Sequence, residues 1–484
     1  MAKKKTKKVV EEIKSFNMPT GVINEDIQWQ QPEGFSLQNK MQTIMVDQWP
    51  LHVLGLKSSL KKSKDTMVVL LGPLESLKVY KHLALQMRET HNIVFVSLPC
   101  FGMNMDVDVS DQDIELKSFA DFVESLLKAP ALEGHTLHLL GSSAAASVAL
   151  ETSLRWGDKI SSLIVNGITH KPTKIWQLLL SEVVHRLDNG DYLDCADAAL
   201  LYLVSDDILG RGRTWGVFRQ YFRKKLEALN EVQKQCLNKL VQLVIKGDGL
   251  SENTIKNTPS CRVLAFTGEY DHLSAPYDHA HFTDACVNGT FATLDDADHL
   301  IHVERPRVVA QLVKGFMAQI NLDTIDGVRT YPPHSYVTLD RRRDPRYVTN
   351  RPKIKIMSDN FLPPEEWEDA VPSTLFAKLR NINFSGCLLE MHDERFRLQD
   401  HAGDLKIYLP KVDMTLEVLA FEQANRTLRC LFFHKNYQAA MEFKEMLEYG
   451  EHFVDADLEM DDYLDKPERE MPWLGAKRHG GGVY

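Results

Sequence analysis

Short apolar runs alternate with longer amphipathic segments between residues 66 and 167, and no other feature of the sequence constrains the fold so strongly. Continuous apolar runs are typical of parallel strands buried on both faces, and apolar residues at helical spacing indicate the helices that cover them. Repeated strand–helix–strand units build a parallel sheet, so we predict an α/β fold. The predicted strands are residues 66–72, 92–99, 136–142 and 160–167, and the predicted helices are 76–91, 118–127 and 144–156.

A helical insertion interrupts this alternation from about residue 170 to about residue 247. Strands resume afterwards, at residues 262–268 and 289–294, before a helix at 306–319. Open α/β sheets bind ligands at the carboxyl ends of their strands, and an insertion that follows such an end can cover this edge. We therefore predict a helical cap, with helices at residues 174–187, 192–204 and 223–245.

After about residue 325 the sequence changes to short alternating segments, which are typical of antiparallel strands in a small barrel. The predicted strands are residues 352–357, 381–391, 404–409, 413–421 and 427–433, followed by a helix at 437–447. A chain of 484 residues is too long for one ordinary core. We divide it into a basic N-terminal tail and lead-in (1–40), an α/β domain (41–322), a small β-barrel domain (330–452) and an acidic, glycine-rich tail (453–484).

The charge and the cysteine pattern argue against several classes of protein. A net charge of −10 argues against binding of DNA or RNA. The seven cysteines are scattered and form no CxxC pair, which favours free thiols in a reducing compartment over disulfides or a metal site. No run approaches the roughly 20 apolar residues of a transmembrane helix, and the basic start lacks the apolar stretch of a secretory signal. We therefore expect a cytoplasmic protein with no metal and no transmembrane segment.

The most informative segment is residues 137–146, which ends a predicted strand and opens a predicted helix. Gly141 and Ala145 stand two places on either side of Ser143, and small residues are needed there when a serine occupies a strained strand-to-helix turn. This G-x-S-x-A pattern is close to the G-x-S-x-G nucleophile elbow. The alternative is that Ser142 and Ser143 are only helix caps.

Two further residues follow strand ends in the order that a serine hydrolase of this architecture requires. Asp271 comes just after the predicted strand 262–268, and His299 follows the strand 289–294. Ser…Asp…His is the chain order of α/β-hydrolases. Taken separately, Asp271 could be a turn residue and His299 a helix cap. Taken together, we predict that His299 removes the Ser143 proton, that Asp271 orients the imidazole, and that an acyl-serine forms.

The predicted oxyanion site is incomplete at one position. One donor would be the backbone N–H of Ala144, and the second would come from the loop after the strand 66–72. Pro73 occupies the usual donor position of that loop and has no N–H, so the Leu74 amide is the candidate substitute. Loss of one oxyanion donor lowers the rate on the order of 100- to 1000-fold.

These segments carry a family resemblance over about residues 45–320. The chain resembles α/β-hydrolases, and within them the synthases that make 3-(3-hydroxyalkanoyloxy)alkanoates, the lipid precursors of rhamnolipids. Ser143, Asp271 and His299 match the positions of the family's triad, and the implied substrates are 3-hydroxyacyl thioesters of acyl carrier protein. The chain departs from the family pattern at Pro73 and at Ala145–Ala146, where the family has two glycines after the serine turn. The similar segments are residues 66–84, 92–104, 137–151, 263–282 and 295–304.

A second motif lies in the predicted barrel. Arg342 and Arg346 form an R-x-x-x-R pattern, and Asn381, Asn383 and Gly386 follow in a pattern close to [DN]-x-S-x-x-G. Guanidinium groups grip phosphates and stack on purines, and short polar side chains bond guanine edges. An arginine run by itself is usually a solvated surface. Together, the two motifs resemble the PilZ domain over residues 335–450, which implies cyclic di-GMP as a regulatory ligand, with no other cofactor.

The favoured hypothesis is a cyclic di-GMP-responsive α/β-hydrolase-fold enzyme, a serine hydrolase or acyltransferase that acts on acyl esters or on acyl-carrier-protein thioesters. The alternative is a cyclic di-GMP receptor or adaptor whose hydrolase-like domain is inactive. A constitutive enzyme with a non-binding barrel is the third reading. The order of Ser143, Asp271 and His299 favours an enzyme, whereas Pro73 favours the adaptor.

Overall fold

The computed structural model describes part of the chain. It covers residues 23–455 apart from 24, 35–36, 38–40, 108–114, 116–117, 169–173, 205–212, 247–256, 272, 338–345, 350–352, 358–360, 363–373, 393–396, 399–404, 411, 425 and 451. Within these residues no helix is both long and apolar enough to cross a membrane.

A ten-stranded sheet forms the centre of the N-terminal domain. The strands run in the order β1-β3-β5-β4-β6-β7-β8-β9-β10, with β2 paired to β3, and the strands from β4 to β9 are parallel. The bounds are β1 (Trp29–Gln30), β2 (Gln42–Val46), β3 (Trp49–Leu56), β4 (Asp65–Leu70), β5 (Asn92–Ser97), β6 (Thr136–Ser142), β7 (Ile160–Asn166), β8 (Arg262–Gly268), β9 (Gly289–Leu294) and β10 (Val328–Tyr331).

Helices cover both faces of this sheet and form the cap. Their bounds are α1 (Lys81–Met87), α2 (Phe119–Leu127), α3 (Ala144–Trp156), α4 (Lys174–Asn189), α5 (Tyr192–Leu203), α6 (Arg213–Glu227), α7 (Glu231–Lys246), α8 (Pro276–Ala285), α9 (Ile301–Glu304) and α10 (Pro306–Met317). One core packs α2 and α3 against the sheet, and a second packs α1 and α10 against the other face. The predicted α/β-hydrolase fold is confirmed.

The sheet extends beyond the α/β domain expected from the sequence. The short strand β1 joins it parallel to β3 within the expected lead-in, and β10 adds an antiparallel edge beside β9 after residue 322. The hairpin of β2 and β3 was not predicted. The predicted helix 76–91 is shorter in the structure, because a 3₁₀ turn at Leu77–Tyr80 precedes α1 and the helix ends at Met87.

The described residues of the cap form the helices α4 to α7. The prediction of one continuous helix over residues 223–245 is wrong, because the chain breaks between α6 and α7. Asn230 Oδ1 accepts a hydrogen bond from the Gln233 amide (2.9 Å), and Gln233 Oε1 accepts one from the Asn230 amide (3.1 Å). This reciprocal capping box starts a new helix at Glu231.

The C-terminal region forms a closed six-stranded antiparallel β-barrel, which confirms the predicted small barrel. The closed ring is β12-β17-β18-β19-β15-β14, with β14 pairing back to β12. The described elements are β11 (Tyr347–Val348), β12 (Lys353–Met357), β13 (Phe361–Leu362), β14 (Thr374–Ile382), β15 (Gly386–Met391), β16 (Arg397–Leu398), β17 (Leu405–Leu409), β18 (Met414–Ala424), β19 (Thr427–Phe432), the helix α11 (Tyr437–Tyr449) and β20 (Val454–Asp455).

The predicted single strand 381–391 is wrong, since β14 ends at Ile382 and β15 begins at Gly386. Asn383 causes this break. Its Oδ1 accepts from the Gly386 amide at 2.7 Å, and its own amide donates to the Gly386 carbonyl at 2.9 Å. The chain therefore reverses in a tight turn, which we call the 383–386 turn. The short strand β20 pairs with β11 beyond the expected end of the barrel domain at 452.

Candidate active site

Ser143 lies at a sharp turn between β6 and α3. Its backbone has φ 54° and ψ −130°, a left-handed conformation that non-glycine residues rarely adopt. The Ser143 amide donates to the Asn166 carbonyl at 2.7 Å, which ties the turn to β7. A Cβ atom on Gly141 would lie 2.5 Å from the Ala145 carbonyl oxygen, and one on Gly167 would lie 2.8 Å from the Ser143 Cα. The turn therefore requires small residues on both sides, as the sequence pattern indicates.

Three predicted side chains meet at the carboxyl edge of the sheet. Ser143 Oγ lies 3.2 Å from His299 Nε2, and His299 Nδ1 lies 3.0 Å from Asp271 Oδ2. Asp271 and His299 are both buried. The neighbouring Ser142 is directed elsewhere, because its hydroxyl donates to Asn166 Oδ1 at 3.0 Å. Only Ser143 of the two serines is thus placed to exchange a proton with the imidazole.

The Asp271 carboxylate is held in its ionised form. Burial favours the neutral acid, but the adjacent His299 and the hydrogen bonds to the carboxylate outweigh it and lower the pKa of Asp271 to about 2. Burial likewise opposes a charged His299, yet the Asp271 carboxylate prevails and raises the pKa of His299 above its ordinary value of 6.5. The carboxylate therefore stabilises an imidazolium, which is the state that His299 passes through when it acts as a general base.

Donors that the sequence analysis missed complete the surroundings of Asp271. The Leu273 and Ser274 amides donate to Oδ1 at 2.9 and 2.8 Å. The hydroxyls of Thr267 and Ser274 donate to Oδ2 at 2.9 and 2.7 Å. The Ser274 hydroxyl also lies 3.2 Å from His299 Nδ1. These contacts fix the carboxylate that orients the imidazole, and no spacing in the sequence signals them.

His279 is a second buried histidine near the site that the sequence did not single out. Its Nε2 accepts from the Gly167 and Ile168 amides at 3.1 and 3.2 Å, and its Nδ1 lies 3.1 Å from the Ala275 carbonyl oxygen. Two donors at Nε2 require the tautomer that carries its proton on Nδ1. Burial lowers the pKa of His279, so the ring stays neutral. It holds the loop after β7 against α8, beside the Ser143 turn.

The candidate oxyanion donors are the amides of Ala144 and Leu74. Ala144 is the first residue of α3, so its N–H has no partner within the helix. The Gly72 amide is engaged, because it donates to Glu75 Oε2 at 2.6 Å, and Pro73 has no N–H. Leu74 adopts φ 59°, and no acceptor for its amide occurs among the described residues. The Leu74 amide is therefore the donor that this loop retains.

Buried charges hold the Leu74 loop from two sides. Inside, Glu75 accepts a hydrogen bond from the Tyr80 hydroxyl at 2.7 Å and lies 2.7 Å from His302 Nε2. Burial would raise the pKa of Glu75, but His302 and the hydrogen bonds lower it, so the carboxylate is charged. On the cap side, the Lys225 ammonium of α6 donates to the Leu74 carbonyl, and burial lowers the pKa of Lys225 to about 8. The cap is thereby attached to the loop that carries the candidate oxyanion donor.

The candidate ligand-binding residues of the barrel are arranged differently from Ser143, Asp271 and His299. Asn383 and Gly386 bond to each other in the 383–386 turn, and a Cβ on Gly386 would lie 2.3 Å from the Cys430 carbonyl oxygen. The glycine is thus required by the adjacent strand β19. Asn381 lies on β14 and is half-buried, and Arg346 is exposed beside β11. Arg342 lies outside the described residues.

Comparison with known proteins agrees with the fold. The Alpha/beta hydrolase family model matches residues 75–312, a range that includes Ser143, Asp271 and His299. No curated protein sequence matches the chain. The family match and the fold support the prediction that this protein is a hydrolase.

Solved structures share the fold at low sequence identity. MGS-M2, an alpha/beta hydrolase enzyme from a Medee basin deep-sea metagenome library, aligns over 58% of this chain and 99% of its own, with 16% identity and a TM-score of 0.51. A thermophilic esterase from Thermogutta terrifontis aligns over 58% of this chain and 98% of its own, with 16% identity and a TM-score of 0.48. The alignment with MGS-M2 shows a common fold for the N-terminal domain.

Proposed function

We propose that the protein is a serine hydrolase or acyltransferase for acyl esters or thioesters, and that cyclic di-GMP bound to the barrel controls it. The observation that carries the catalytic part is the continuous set of contacts from Ser143 Oγ through His299 to Asp271, at 3.2 and 3.0 Å, on a strained turn. The resemblance to 3-(3-hydroxyalkanoyloxy)alkanoate synthases extends the proposed substrates to 3-hydroxyacyl groups on acyl carrier protein.

In the proposed reaction, Ser143 Oγ attacks the carbonyl carbon while His299 Nε2 takes its proton. The oxyanion is stabilised by the amides of Ala144 and Leu74. The tetrahedral intermediate then collapses, and His299 returns the proton to the departing alcohol or thiol. Water, in a hydrolase, or an acceptor hydroxyl, in an acyltransferase, then attacks the acyl carbon while His299 takes its proton. The bond from the acyl carbon to Ser143 Oγ breaks, and His299 returns the proton to Ser143.

A fluorophosphonate probe tests the nucleophile without knowledge of the substrate. We expect covalent labelling of the full chain, loss of labelling in Ser143→Ala, and retained labelling in Ser142→Ala, because of these two serines only Ser143 contacts His299. Serine phosphonylation also needs the general base, so His299→Ala should label far more slowly. Equal labelling of the wild type and Ser143→Ala would contradict the proposal. No labelling of the wild type would favour the adaptor with an inactive hydrolase domain.

Two features of the barrel support the proposal that it binds cyclic di-GMP: its shape, and the polar groups that its own hydrogen bonds leave unused. Tyr347 pairs with Ile382 in antiparallel register, so the register continued by one residue puts Arg346 beside Asn383. Asn383 Oδ1 is used by the turn, which leaves the side-chain Nδ2 to donate to a guanine edge or a phosphate. The proposed ligand set is Arg342, Arg346, Asn381, Asn383 and Gly386.

Calorimetry on the full chain with cyclic di-GMP tests this set. Arg429→Ala is the matched control, because Arg429 is an exposed barrel arginine paired with Glu422 on neighbouring strands. We expect Arg346→Ala to weaken binding while Arg429→Ala leaves it unchanged. Undetectable binding to the wild type would remove the regulatory part and leave the hydrolase part standing.

We also place the protein in the cytoplasm as part of this proposal. All seven cysteines lie in the described part of the chain, and all are buried free thiols. Proteins of oxidising compartments commonly pair such residues as disulfides.

A further inference from the structure

The cap and the barrel share a hydrophobic core. The cap helices α4 and α5 bring apolar side chains into two clusters that also contain buried residues of the barrel strands. The cap contributes Trp176, Leu179, Ala198, Leu200, Leu201 and Val204, and the barrel side includes Leu419, Leu431 and Phe433. Arg186 of α4 adds an ion pair to Glu417 of the barrel at 3.2 Å. The cap and the barrel are therefore packed against each other at α4 and at the end of α5.

Tyr202, near the end of α5, contacts the 383–386 turn directly. Its hydroxyl donates to the Phe432 carbonyl and lies 3.4 Å from the Ser385 carbonyl oxygen. Its ring stacks on His434 with centroids 6.4 Å apart, and His434 stacks on Phe384 at 4.6 Å. His434 Nε2 also lies 2.7 Å from the Phe384 carbonyl oxygen. Tyr202 thus touches the turn that carries Asn383 and Gly386, two of the proposed ligand residues.

The next residue of α5 contacts the catalytic side. The Leu203 carbonyl accepts a hydrogen bond from the Leu300 amide at 3.1 Å. Leu300 directly follows His299, and its side chain packs against the barrel core. The amide that makes this hydrogen bond belongs to the peptide bond between His299 and Leu300. It is therefore directly joined to the residue that carries the imidazole. Two adjacent residues of α5 therefore make the two contacts: Tyr202 contacts the barrel, and Leu203 bonds Leu300.

We propose that Tyr202 is a positioning residue for His299, through which the barrel sets the place of the imidazole relative to Ser143. This inference rests on the proposed function. If Tyr202 loses its bond to the Phe432 carbonyl, the end of α5 shifts, and the Leu203 carbonyl no longer fixes Leu300. A displacement of 1 Å between reacting groups can lower a rate about 100-fold, so even a small shift has a measurable effect.

The test compares Tyr202→Phe with wild type in the full chain. This substitution removes only the hydroxyl and keeps the stacked ring. The matched control is Tyr408→Phe, because the Tyr408 hydroxyl bonds Asp413 at 2.9 Å on the exposed side of the barrel. The rate constant for fluorophosphonate labelling of Ser143 is measured from pH 5 to 9, well below the melting temperature of each variant.

We expect Tyr202→Phe to slow labelling about tenfold, within the range that misplacement produces, and to shift the midpoint of its pH profile. Tyr408→Phe should keep the wild-type rate and midpoint. A lower melting temperature for Tyr202→Phe with unchanged rate and midpoint would mean a structural role only, and would overturn the inference while the proposed function stands. Labelling that persists in Ser143→Ala would overturn both the inference and the proposed function, because Ser143 would then not be the nucleophile that His299 deprotonates.

Discussion

The hydrolase site and the 383–386 turn arrange their polar groups in opposite ways. In the hydrolase site, Ser143 and His299 are 156 positions apart and meet at the edge of the sheet. In the barrel, Asn383 and Gly386 are three positions apart and bond to each other. Parallel strands bring their carboxyl ends together, so polar residues placed there converge on one point. A hairpin turn satisfies its own backbone first, so only the polar groups left over can bind a ligand.

The first prediction concerns the convergent site and has the largest expected effect. Asp271→Asn should lower kcat/KM by roughly 10³- to 10⁴-fold, because the imidazole loses the partner that fixes its tautomer. In the wild type, kcat/KM should rise with pH as His299 loses its proton, with a midpoint above 6.5, since Asp271 raises the pKa of His299. In Asp271→Asn, only the smaller effects of Asp298 and Glu304 oppose burial, and the midpoint should move down. The pH–rate profiles of the wild type and Asp271→Asn on a short-chain ester test this prediction. An unchanged midpoint in Asp271→Asn would contradict the effect of Asp271 on the pKa of His299.

The second prediction concerns the barrel site. Arg346→Ala should weaken cyclic di-GMP binding about tenfold or more, because a charge-assisted hydrogen bond contributes about 1.5–3 kcal/mol and ~1.4 kcal/mol is a factor of ten. Arg342→Ala should act similarly. Arg346→Lys should recover only part of the affinity, since lysine lacks the planar fork. Calorimetry that shows full recovery with lysine would indicate that charge alone is recognised.

The third prediction compares two glycines that both face a backbone oxygen. A Cβ on Gly386 would lie 2.3 Å from the Cys430 carbonyl oxygen, and one on Gly268 would lie 2.3 Å from those of Ala297 and Asp298. Each glycine-to-alanine change should lower the free energy of unfolding by about 1–3 kcal/mol in urea titrations. Gly268→Ala should slow labelling of Ser143 in the folded protein more than Gly386→Ala does, because it displaces the loop directly before His299, whereas the 383–386 turn acts on His299 only through Tyr202. Equal labelling of both variants would show that this loop tolerates displacement.

The smallest effect is expected at the oxyanion loop. The sequence alone left open whether Pro73 removes an essential donor. With the Leu74 amide as the retained donor, Pro73→Ala should change kcat by less than about threefold, whereas restoring a missing donor would raise it on the order of 100-fold. Steady-state kinetics on one ester substrate separate these outcomes. A large gain would show that Leu74 does not supply the donor.

The sequence predicts the sheet well where strands are continuous apolar runs. The bounds of β6, β8 and β9 match the predicted ranges, because burial on both faces leaves a short, mostly apolar run of strand length. The breaks within residues 223–245 and 381–391 were missed, because each depends on one short side chain that bonds a nearby amide. Asn230 and Asn383 look like ordinary polar residues until the structure shows those bonds.

The candidate site was predictable only in part, and for a related reason. Ser143, Asp271 and His299 stand at strand ends in a characteristic order, so sequence position alone singles them out. His279 and Lys225 act on residues that are brought near them by tertiary contacts, and nothing local marks them. Ser274 lies only three positions from Asp271, but its contact with His299 also depends on tertiary structure. The Leu203–Leu300 bond belongs to the same class, since a residue at the end of a cap helix has no sequence signal that relates it to a histidine loop.

Trapping of the acyl-enzyme tests the central claim most directly. The full chain is mixed with an activated acyl ester, quenched in acid and digested, and the acylated peptide is identified by mass spectrometry. The account predicts one acyl group on the peptide that contains Ser143. This acyl group should be lost in Ser143→Ala and retained in Ser142→Ala. It should form orders of magnitude more slowly in His299→Ala, and adding Asp271→Asn to His299→Ala should slow its formation no further. Turnover of the ester without any acyl group on Ser143, or with an acyl group on another residue, would contradict it.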